Sequence, residues 1–311
     1  MILIISKKAD LSTDYVIDWL LFYNVNFVRI NIEDNLEIIF ENNSIIFKSI
    51  DYCFELNEIK AFWYRRGKLN IKYQKNNIME LDAFLHQEIL KIEEYIFYRL
   101  EQLPNINSFL KSDVNRLIVS EKAKNIGLNV PEEFLQSNLN FKEKNHKKYI
   151  TKSIVGSAMF KKENTFFVAY SNIIDCNKIN CDSFFPSLIQ EYIEKELELR
   201  VFFIDNEFYT MAIFSQFDEM TKVDFRNYNR KKPNRNVPFK LPKEIELKLA
   251  RLMNELEINC GSIDMILSQN KEYYFLEINP VGQFGMVSTP CNYNLHKIIA
   301  EKLIEKTKIY E

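Results

Sequence analysis

The sequence predicts an α/β N-terminal domain followed by two α+β lobes. In the first third of the chain, short apolar runs alternate with amphipathic segments at helical spacing, which is the order of a small α/β sheet. The rest of the chain places several strand-like runs close together, with few helices between them. The 311 residues exceed the usual size of one domain, and 47% of them are hydrophobic, which is enough for more than one core.

The first predicted domain covers residues 1–105. Ile2–Ile5 is an apolar run expected to form a buried strand; two lysines follow it rather than precede it, so it lacks the pattern of a signal peptide. Thr13–Tyr23 has apolar residues at helical spacing. Further strands are predicted at 27–32, 36–40, 45–48, 52–55 and 59–63, and a long amphipathic helix at 77–100.

The second predicted domain covers residues 106–185. A helix is expected over Ser112–Ile126, with Ser112 or Asp113 as its N-cap and Gly127 just beyond its end. The polar, lysine-rich stretch 138–148 is expected to be mobile. Strands are predicted after Pro131, at 147–152 and at 166–170.

The third predicted domain covers residues 186–311. Cys260–Leu267 and Glu272–Ile278 are expected to pair as a hairpin around a turn at 269–271. The segment Lys222–Pro238 is long, basic and poor in aliphatic residues, so a loop is expected there. Other strands are predicted at 188–193, 199–204 and 208–214, and helices at 243–257 and 295–307.

The composition argues against several classes of protein. The formal net charge of −2 does not suit a nucleic-acid-binding chain, and no apolar run approaches the ~18 residues of a membrane helix. Five cysteines form no CxxC pair and only three histidines are present, so neither a disulfide framework nor a zinc site is expected. We therefore expect a cytoplasmic protein that binds neither nucleic acid nor membranes.

Three oxygen-bearing side chains mark the last predicted hairpin. Asp264 lies in its first strand, while Glu277 and Asn279 lie two positions apart along the second and so point to one side of it. Because a buried carboxylate needs a compensating cation, and hard oxygen ligands suit Mg²⁺, this pattern indicates a magnesium site. Taken alone, Asp264 is better explained as an exposed carboxylate on an edge hairpin, whereas the apolar neighbours of Glu277 favour a buried, functional role.

These residues and several upstream motifs resemble the ATP-grasp superfamily. Asp264 and the run EINPVG at 277–282 resemble its magnesium site, and NRL at 115–117 through GLNVP at 127–131 resembles the entry to its central subdomain. ITK at 150–152 resembles a strand that carries a nucleotide-binding lysine. The resemblance implies that the two α+β lobes form an ATP-grasp fold, with ATP and Mg²⁺ as cofactors.

The resemblance also implies roles for single residues. Mg²⁺ would be held by Asp264, Glu277 and Asn279. Phosphate oxygens would be bound by Arg116, Lys152, Arg200 and Arg226, adenine by a hinge made of Gln190, Glu191, Tyr192 and Ile193, and the ribose by Glu198. The pattern by itself leaves two alternatives open, because Lys152 also fits a solvated lysine at a strand end and 190–193 also fits a core strand.

Within the superfamily, three motifs resemble the graspetide synthetases, the peptide maturases of microviridin and "grasp-with-spasm" type. They are FWYRRG at 62–67, DFR at 224–226 and NPVGQF at 279–284. The resemblance implies a ligase that joins Ser, Thr or Lys side chains to Asp or Glu side chains of a precursor peptide with a leader segment. The resulting rings are esters or amides, formed through an acyl phosphate with release of ADP and phosphate. Many relatives have lysine where Arg116 stands; arginine keeps the charge.

Two further groups are candidates for contact with the peptide. Arg226 is expected to reach the acyl phosphate from a basic segment that orders over it, with Asp224 holding that arginine or taking a proton from the nucleophile. The alternative is a solvated basic loop. Trp63, Arg65 and Arg66 either form part of a recognition surface or are a core tryptophan with two surface arginines.

Other functions remain open at the level of sequence. The first alternative is another ATP-grasp carboxylate–amine ligase, such as one that adds free glutamate to a protein or a small molecule. The second is a nucleotide-binding module without catalysis. The sequence also leaves open whether the chain forms a homo-oligomer such as a dimer.

Overall fold

The computed structural model describes residues 1–41, 44–76, 78–139, 147–156, 159–163, 165–168, 171–175, 183–216, 231 and 233–310. Contacts between Cα atoms divide the chain into two compact units. The first unit combines Met1–Asp113, Glu257–Gly261 and Pro280–Glu311, and the second combines Val114–Leu256 and Ser262–Asn279. The three predicted domains differ from this division in two ways: residues 280–311 belong with the N-terminal residues, and most of the two predicted lobes, 106–185 and 186–311, falls into one unit.

The first unit is built on a four-stranded parallel sheet in the order β2-β1-β6-β7. All five residues of the central strand β1 are buried, as is usual for a parallel strand covered on both faces. The strands of this sheet are β1 (Ile2–Ser6), β2 (Phe27–Asn31), β6 (Ala61–Tyr64) and β7 (Asn105–Ile106). A separate antiparallel meander comprises β3 (Glu37–Glu41), β4 (Ser44–Lys48) and β5 (Cys53–Glu55).

Four helices complete the first unit: α1 (Leu11–Phe22), α2 (Met79–Glu101), α5 (Gly285–Cys291) and α6 (Leu295–Thr307). Helix α6 packs against α1, and Tyr23 donates a hydrogen bond of 2.8 Å to Glu301. This packing explains why the C-terminal segment belongs to the first unit. Sequence reasoning missed α5, which has only seven residues and contains Pro290.

The second unit begins with α3 (Arg116–Ile126), which differs from prediction in its N-cap. Neither Ser112 nor Asp113 caps the helix; instead the Asn115 side chain accepts the N–H of Leu117 at 3.0 Å. Asparagine is as good a cap as serine or aspartate, so composition alone did not distinguish these neighbours. The predicted end at Gly127 is confirmed, with φ of +86° in the left-handed region that glycine favours.

Two main sheets form the rest of the second unit. The first, in the order β12-β9-β13-β8, comprises β8 (Glu133–Asn138), β9 (Tyr149–Lys152), β12 (Asn172–Ile173) and β13 (Ser183–Glu191), and β10 (Met159–Lys162) pairs separately with β11 (Thr165–Val168). The second, in the order β16-β15-β14-β17-β18, comprises β14 (Lys195–Ile204), β15 (Glu207–Phe214), β16 (Arg235–Phe239), β17 (Cys260–Ser268) and β18 (Tyr273–Asn279). Helix α4 covers Lys243–Glu255.

Strand β16 corrects the expectation of an unbroken loop over Lys222–Pro238. Its five residues pair antiparallel with β15, and it is the edge strand of its sheet. An edge strand tolerates Pro238, which has no N–H to donate, and it needs few aliphatic residues. Residues 217–230 and 232 lie outside the described part of the chain.

Within that described part, none of the helices has both the length and the apolar character that crossing a membrane requires.

Candidate functional site

The hairpin of β17 and β18 brings the three predicted magnesium ligands together. Asp264 lies directly opposite Glu277, and Asn279 lies opposite Ser262 at the next position on the same side. The Asn279 amide nitrogen is 3.5 Å from the Asp264 carboxylate. The side chains of Asp264 and Glu277 are only 13% and 15% exposed, so Asp264 is not an exposed carboxylate, although its hairpin does lie at the edge of the sheet.

Each of the two carboxylates has a buried cationic partner. Arg200 Nη1 donates to both oxygens of Asp264, at 2.9 and 3.0 Å. Arg116 forms an ion pair with Glu277, and Lys152 Nζ is 4.0 Å from the same carboxylate. Buried charges are tolerated only when paired in this way, because removing them from water is costly.

These five side chains carry a small excess of positive charge. Two carboxylates against two arginines and one lysine leave one positive charge among the described residues of the cluster. A cluster of this kind suits a highly charged anion accompanied by a divalent cation, since the anion satisfies the arginines and the lysine while the metal takes over the carboxylates.

The cations come from separate elements that meet at the hairpin. Arg116 is the first residue of α3, Lys152 is the last residue of β9, and Arg200 lies in β14, next to β17 in the sheet. Arg116 also donates to the backbone carbonyl of Ser153, which ties the start of α3 to the end of β9. The solvated-lysine alternative for Lys152 is wrong, because its side chain is buried.

An open cavity of about 700 Å³ adjoins this cluster within the second unit. The cavity is lined by residues predicted to bind the nucleotide, namely Lys152, Gln190, Glu191, Tyr192, Ile193, Glu198, Asp264 and Glu277. The structure thus brings the predicted hinge, ribose and metal residues into one cavity, while their roles remain predictions.

The predicted hinge uses part of its hydrogen-bonding capacity internally. The N–H groups of Glu191 and Tyr192 donate to the carbonyls of Glu132 and Lys148, at 2.8 and 2.9 Å. The buried Gln190 side chain donates to Glu133 at 2.9 Å, so it braces the sheet. Any adenine contact through a hinge N–H would therefore come from Ile193, the next residue along.

Glu198 occupies a polar niche that sequence reasoning described incompletely. Its Oε1 accepts hydrogen bonds from Lys195 Nζ at 2.6 Å and from Ser215 Oγ at 2.7 Å. Lys195, whose side chain is only 2% exposed, was not among the predicted site residues, and nor was Ser215. One signal for the burial of Lys195 was present in the sequence. Lys195 and Leu197 are two positions apart and so lie on the same side of β14, and a lysine on an apolar side needs a counter-charge.

The Trp63-Tyr64-Arg65-Arg66 motif belongs to the first unit and is largely internal. Trp63 is 1% exposed, which makes it a core residue. The equally buried Arg65 donates to the carbonyls of Val281 and Gly282, at 3.1 and 2.9 Å. A peptide-recognition surface therefore gains no support from Trp63 or Arg65.

Asp10 is the acidic partner of both arginines. It lies 3.6 Å from Arg65 Nε and 2.6 Å from Arg66 Nε. Burial lowers the pKa of Arg65 to about 10, although Asp10 opposes this effect. Of the three predicted recognition residues only Arg66 is appreciably exposed, at 32%, which leaves it as the one candidate for contact with a partner.

Two predicted catalytic residues, Asp224 and Arg226, lie outside the described residues. The interior of the polar stretch 138–148 and the end of the predicted strand 166–170 lie outside them as well.

Comparison with known proteins identifies the class. Residues 152–304 match the family model of the RimK-like ATP-grasp domain. A RiPP-associated ATP-grasp ligase of Chryseobacterium gregarium, solved with ADP and a leader and core peptide, is 25% identical, with a TM-score of 0.79 over 98% of this chain and 96% of that one. The macrocyclase MdnC of Microcystis aeruginosa MRC, bound to precursor peptide MdnA, is 23% identical, with a TM-score of 0.79 over 98% and 100% of the two chains.

Residues 152–304 thus carry a RimK-like ATP-grasp domain, and the fold of the whole chain is that of ATP-grasp ligases. More particularly, the solved structures that it resembles include ATP-grasp ligases of RiPP peptides, which confirms the predicted resemblance to graspetide synthetases. No curated protein matches the chain.

The residues present fit the magnesium ion that this class uses with ATP. Asp264, Glu277 and the Asn279 amide converge on one side of the hairpin, and carboxylate and amide oxygens are ligands that Mg²⁺ accepts. No group of three or more His, Cys, Asp and Glu side chains suited to a metal occurs in the described ranges. Two carboxylates and an amide supply only part of an octahedron, so phosphate and water oxygens would have to complete it.

Proposed function

We propose that the chain is an ATP-dependent ligase that closes side-chain ester or amide rings in a ribosomal precursor peptide. The observation that carries this proposal is the buried cluster of Asp264 and Glu277 with their three cationic partners, beside an open cavity that the predicted hinge and Glu198 also line. Support for a peptide substrate comes from the peptide-bound neighbours, the first of which aligns over 98% of this chain.

The proposed reaction has two steps. A carboxylate oxygen of a peptide Asp or Glu attacks the γ-phosphorus of ATP, so that ADP leaves and an acyl phosphate forms. A hydroxyl or amine side chain of the same peptide then attacks the acyl carbon, loses its proton and displaces phosphate. Catalysis of the first step consists chiefly of positioning and charge neutralisation.

The described residues would divide this work between them. Arg116, Lys152 and Arg200 bind phosphate oxygens, and Glu198 accepts hydrogen bonds from the ribose hydroxyls. Mg²⁺, held by Asp264, Glu277 and Asn279, would neutralise charge on the transferring phosphoryl group. Without nucleotide, Arg116 and Arg200 are paired with Glu277 and Asp264; when the nucleotide binds, they would exchange these carboxylates for phosphate.

The product and the nucleotide balance test the proposed function. Incubation with a cognate precursor and ATP is expected to give a peptide lighter by one water for each ring, with one ADP and one phosphate released each time. Mass spectrometry and nucleotide chromatography measure both quantities. A peptide or small molecule that instead gains a glutamate residue would identify the chain as another carboxylate–amine ligase. Release of AMP and pyrophosphate would contradict the acyl phosphate. If no peptide causes ATP to be consumed, the chain is a nucleotide-binding module without catalysis.

Arg226 is proposed to stabilise the acyl phosphate, with Asp224 holding it or accepting a proton from the nucleophile. A cation that acts mainly in the transition state affects turnover more than nucleotide binding. Arg226→Ala is therefore expected to slow ring formation strongly while leaving the dissociation constant for ATP nearly unchanged. Lys231→Ala, in the same basic segment, is the control. Equal and near-wild-type turnover of both variants would remove Arg226 from the mechanism.

The partners follow from the same proposal. The substrate is a precursor peptide whose leader segment contacts the enzyme away from the reacting side chains, and Arg66 is a candidate for part of that contact. Location in the cytoplasm and assembly as a homodimer are further proposals, and size-exclusion chromatography with light scattering measures the second.

A further inference from the structure

A buried cluster of three polar side chains lies at the start of β14. Lys195 and Ser215 both donate to Glu198 Oε1, at 2.6 and 2.7 Å, and all three residues are buried. Lys195 and Glu198 also line the cavity that contains the predicted hinge. The cluster is therefore placed where it can influence a bound nucleotide.

Stability alone gives little reason for this arrangement. Replacing a buried ion pair by apolar side chains of similar size is often neutral or stabilising, so such a pair is weak evidence for a structural role. The chain offers a direct comparison in Lys91–Glu94, which has the same i, i+3 spacing and the same 2.6 Å separation, but with side chains 78% and 52% exposed. A surface pair of that kind contributes little.

The geometry does explain how the Glu198 carboxylate would be oriented. Two donors on one oxygen restrict rotation of the carboxyl group, and a donor that carries a full charge holds it more strongly than a neutral one. A carboxylate only accepts hydrogen bonds, and ribose hydroxyls can donate them. The positive charge of Lys195 also compensates Glu198, which would otherwise repel the phosphates of a bound nucleotide.

We propose that Lys195 is a positioning residue for nucleotide binding, holding the Glu198 carboxylate together with Ser215 in the orientation that accepts the ribose hydroxyls. This inference rests on the proposed function, in which Glu198 binds the ribose of ATP. On this proposal, Lys195 determines how much more tightly the protein binds a nucleotide that has ribose hydroxyls than one that lacks them.

The test measures the dissociation constants of ADP and 2′,3′-dideoxy-ADP by calorimetry on the full chain with Mg²⁺. Both nucleotides lack the γ-phosphate, so neither can phosphorylate the peptide. The wild type is expected to prefer ADP by roughly tenfold or more, the usual effect of a hydrogen bond to a charged group. Lys195→Met should bring the ratio of the two dissociation constants close to one, Lys195→Arg should restore most of it, and Ser215→Ala should lower it several-fold. Lys91→Met is the matched control and should leave the ratio unchanged.

The outcomes separate the two proposals. If Lys195→Met weakens binding of both nucleotides by the same factor, Lys195 supports only the fold and the inference is overturned. Should Lys195→Met fail to fold in a thermal melt, an unchanged ratio in Ser215→Ala overturns the inference as well. If the wild type binds neither nucleotide, the proposed function fails and the inference fails with it.

Discussion

Glu277→Gln is expected to reduce ring formation by about 100-fold or more, the usual range for removal of one preorganised electrostatic contact at a reaction centre. Glutamine keeps the shape of the side chain but loses the charge that pairs with Arg116 and Lys152 and that is proposed to hold Mg²⁺. Turnover of a precursor peptide measures the first effect. Mn²⁺ binding in the presence of ADP, followed by electron paramagnetic resonance, should weaken in parallel and reports on the metal independently of catalysis.

Glu272→Gln provides the control for this variant. Glu272 immediately precedes β18 and is exposed, so loss of its charge should leave both turnover and metal binding near wild type. Glu277→Gln should still fold, with a lower melting temperature, because its cationic partners lose a counter-charge. Full turnover by a well-folded Glu277→Gln enzyme would disprove the assignment of Glu277 to the metal.

Arg116→Ala is expected to weaken ATP binding by about tenfold to a hundredfold, the effect of one lost charge-assisted hydrogen bond. Arg116 is buried between Glu277 and the Ser153 carbonyl, where it already faces the carboxylate that is proposed to hold the metal. Lys152→Ala should have an effect of the same order, because Lys152 reaches the same carboxylate from β9. Calorimetry with a non-hydrolysable ATP analogue measures both.

Arg116→Lys separates charge from geometry. Lysine stands at this position in many graspetide synthetases, so it should retain most of the affinity, although it cannot contact Glu277 and Ser153 with two arms of one planar group. Lys122, a partly buried lysine of the same helix, donates to the Glu255 carbonyl and not to the cluster, so Lys122→Ala should bind the nucleotide as wild type does. Unchanged nucleotide affinity in both Arg116→Ala and Lys152→Ala would remove these residues from the phosphate site.

The relative positions of side chains were predictable from sequence where the residues lie on one strand or on either side of one short turn. Glu277 and Asn279 lie two residues apart, so strand geometry alone places them on one side, and their facing position opposite Asp264 follows from a hairpin with a short turn. The structure agrees because these are local relations. The same locality explains the confirmed end of α3 at Gly127, a residue that adopts the left-handed conformation easily.

Burial was harder to predict than position. One polar face of β14 is formed by Glu196, Glu198 and Arg200. This pattern did not show whether that face lies against bulk water or against a cleft in the protein. In the structure Glu196 remains exposed and pairs with Lys271, whereas Glu198 and Arg200 are buried, with Ser215 just beyond β15 and Asp264 in β17 as their respective partners. Those partners lie 17 and 64 residues away, at distances that periodicity does not register.

By itself the sequence determined the strands and helices that carry the chemistry, the side of each strand that the acidic residues occupy, and the class of ligase that the motifs resemble. These properties depend on hydrophobic periodicity and on side-chain spacing over a few residues. Only the tertiary structure decided that Arg116, Lys152 and Arg200 meet the two carboxylates. It also decided that Lys195 is a buried partner of Glu198, and that Trp63 and Arg65 are internal. The contacts of Arg116, Lys152, Arg200 and Arg65 depend on which distant segment covers a charged side chain, because the cost of removing a charge from water is offset only by the partner that the fold brings to it.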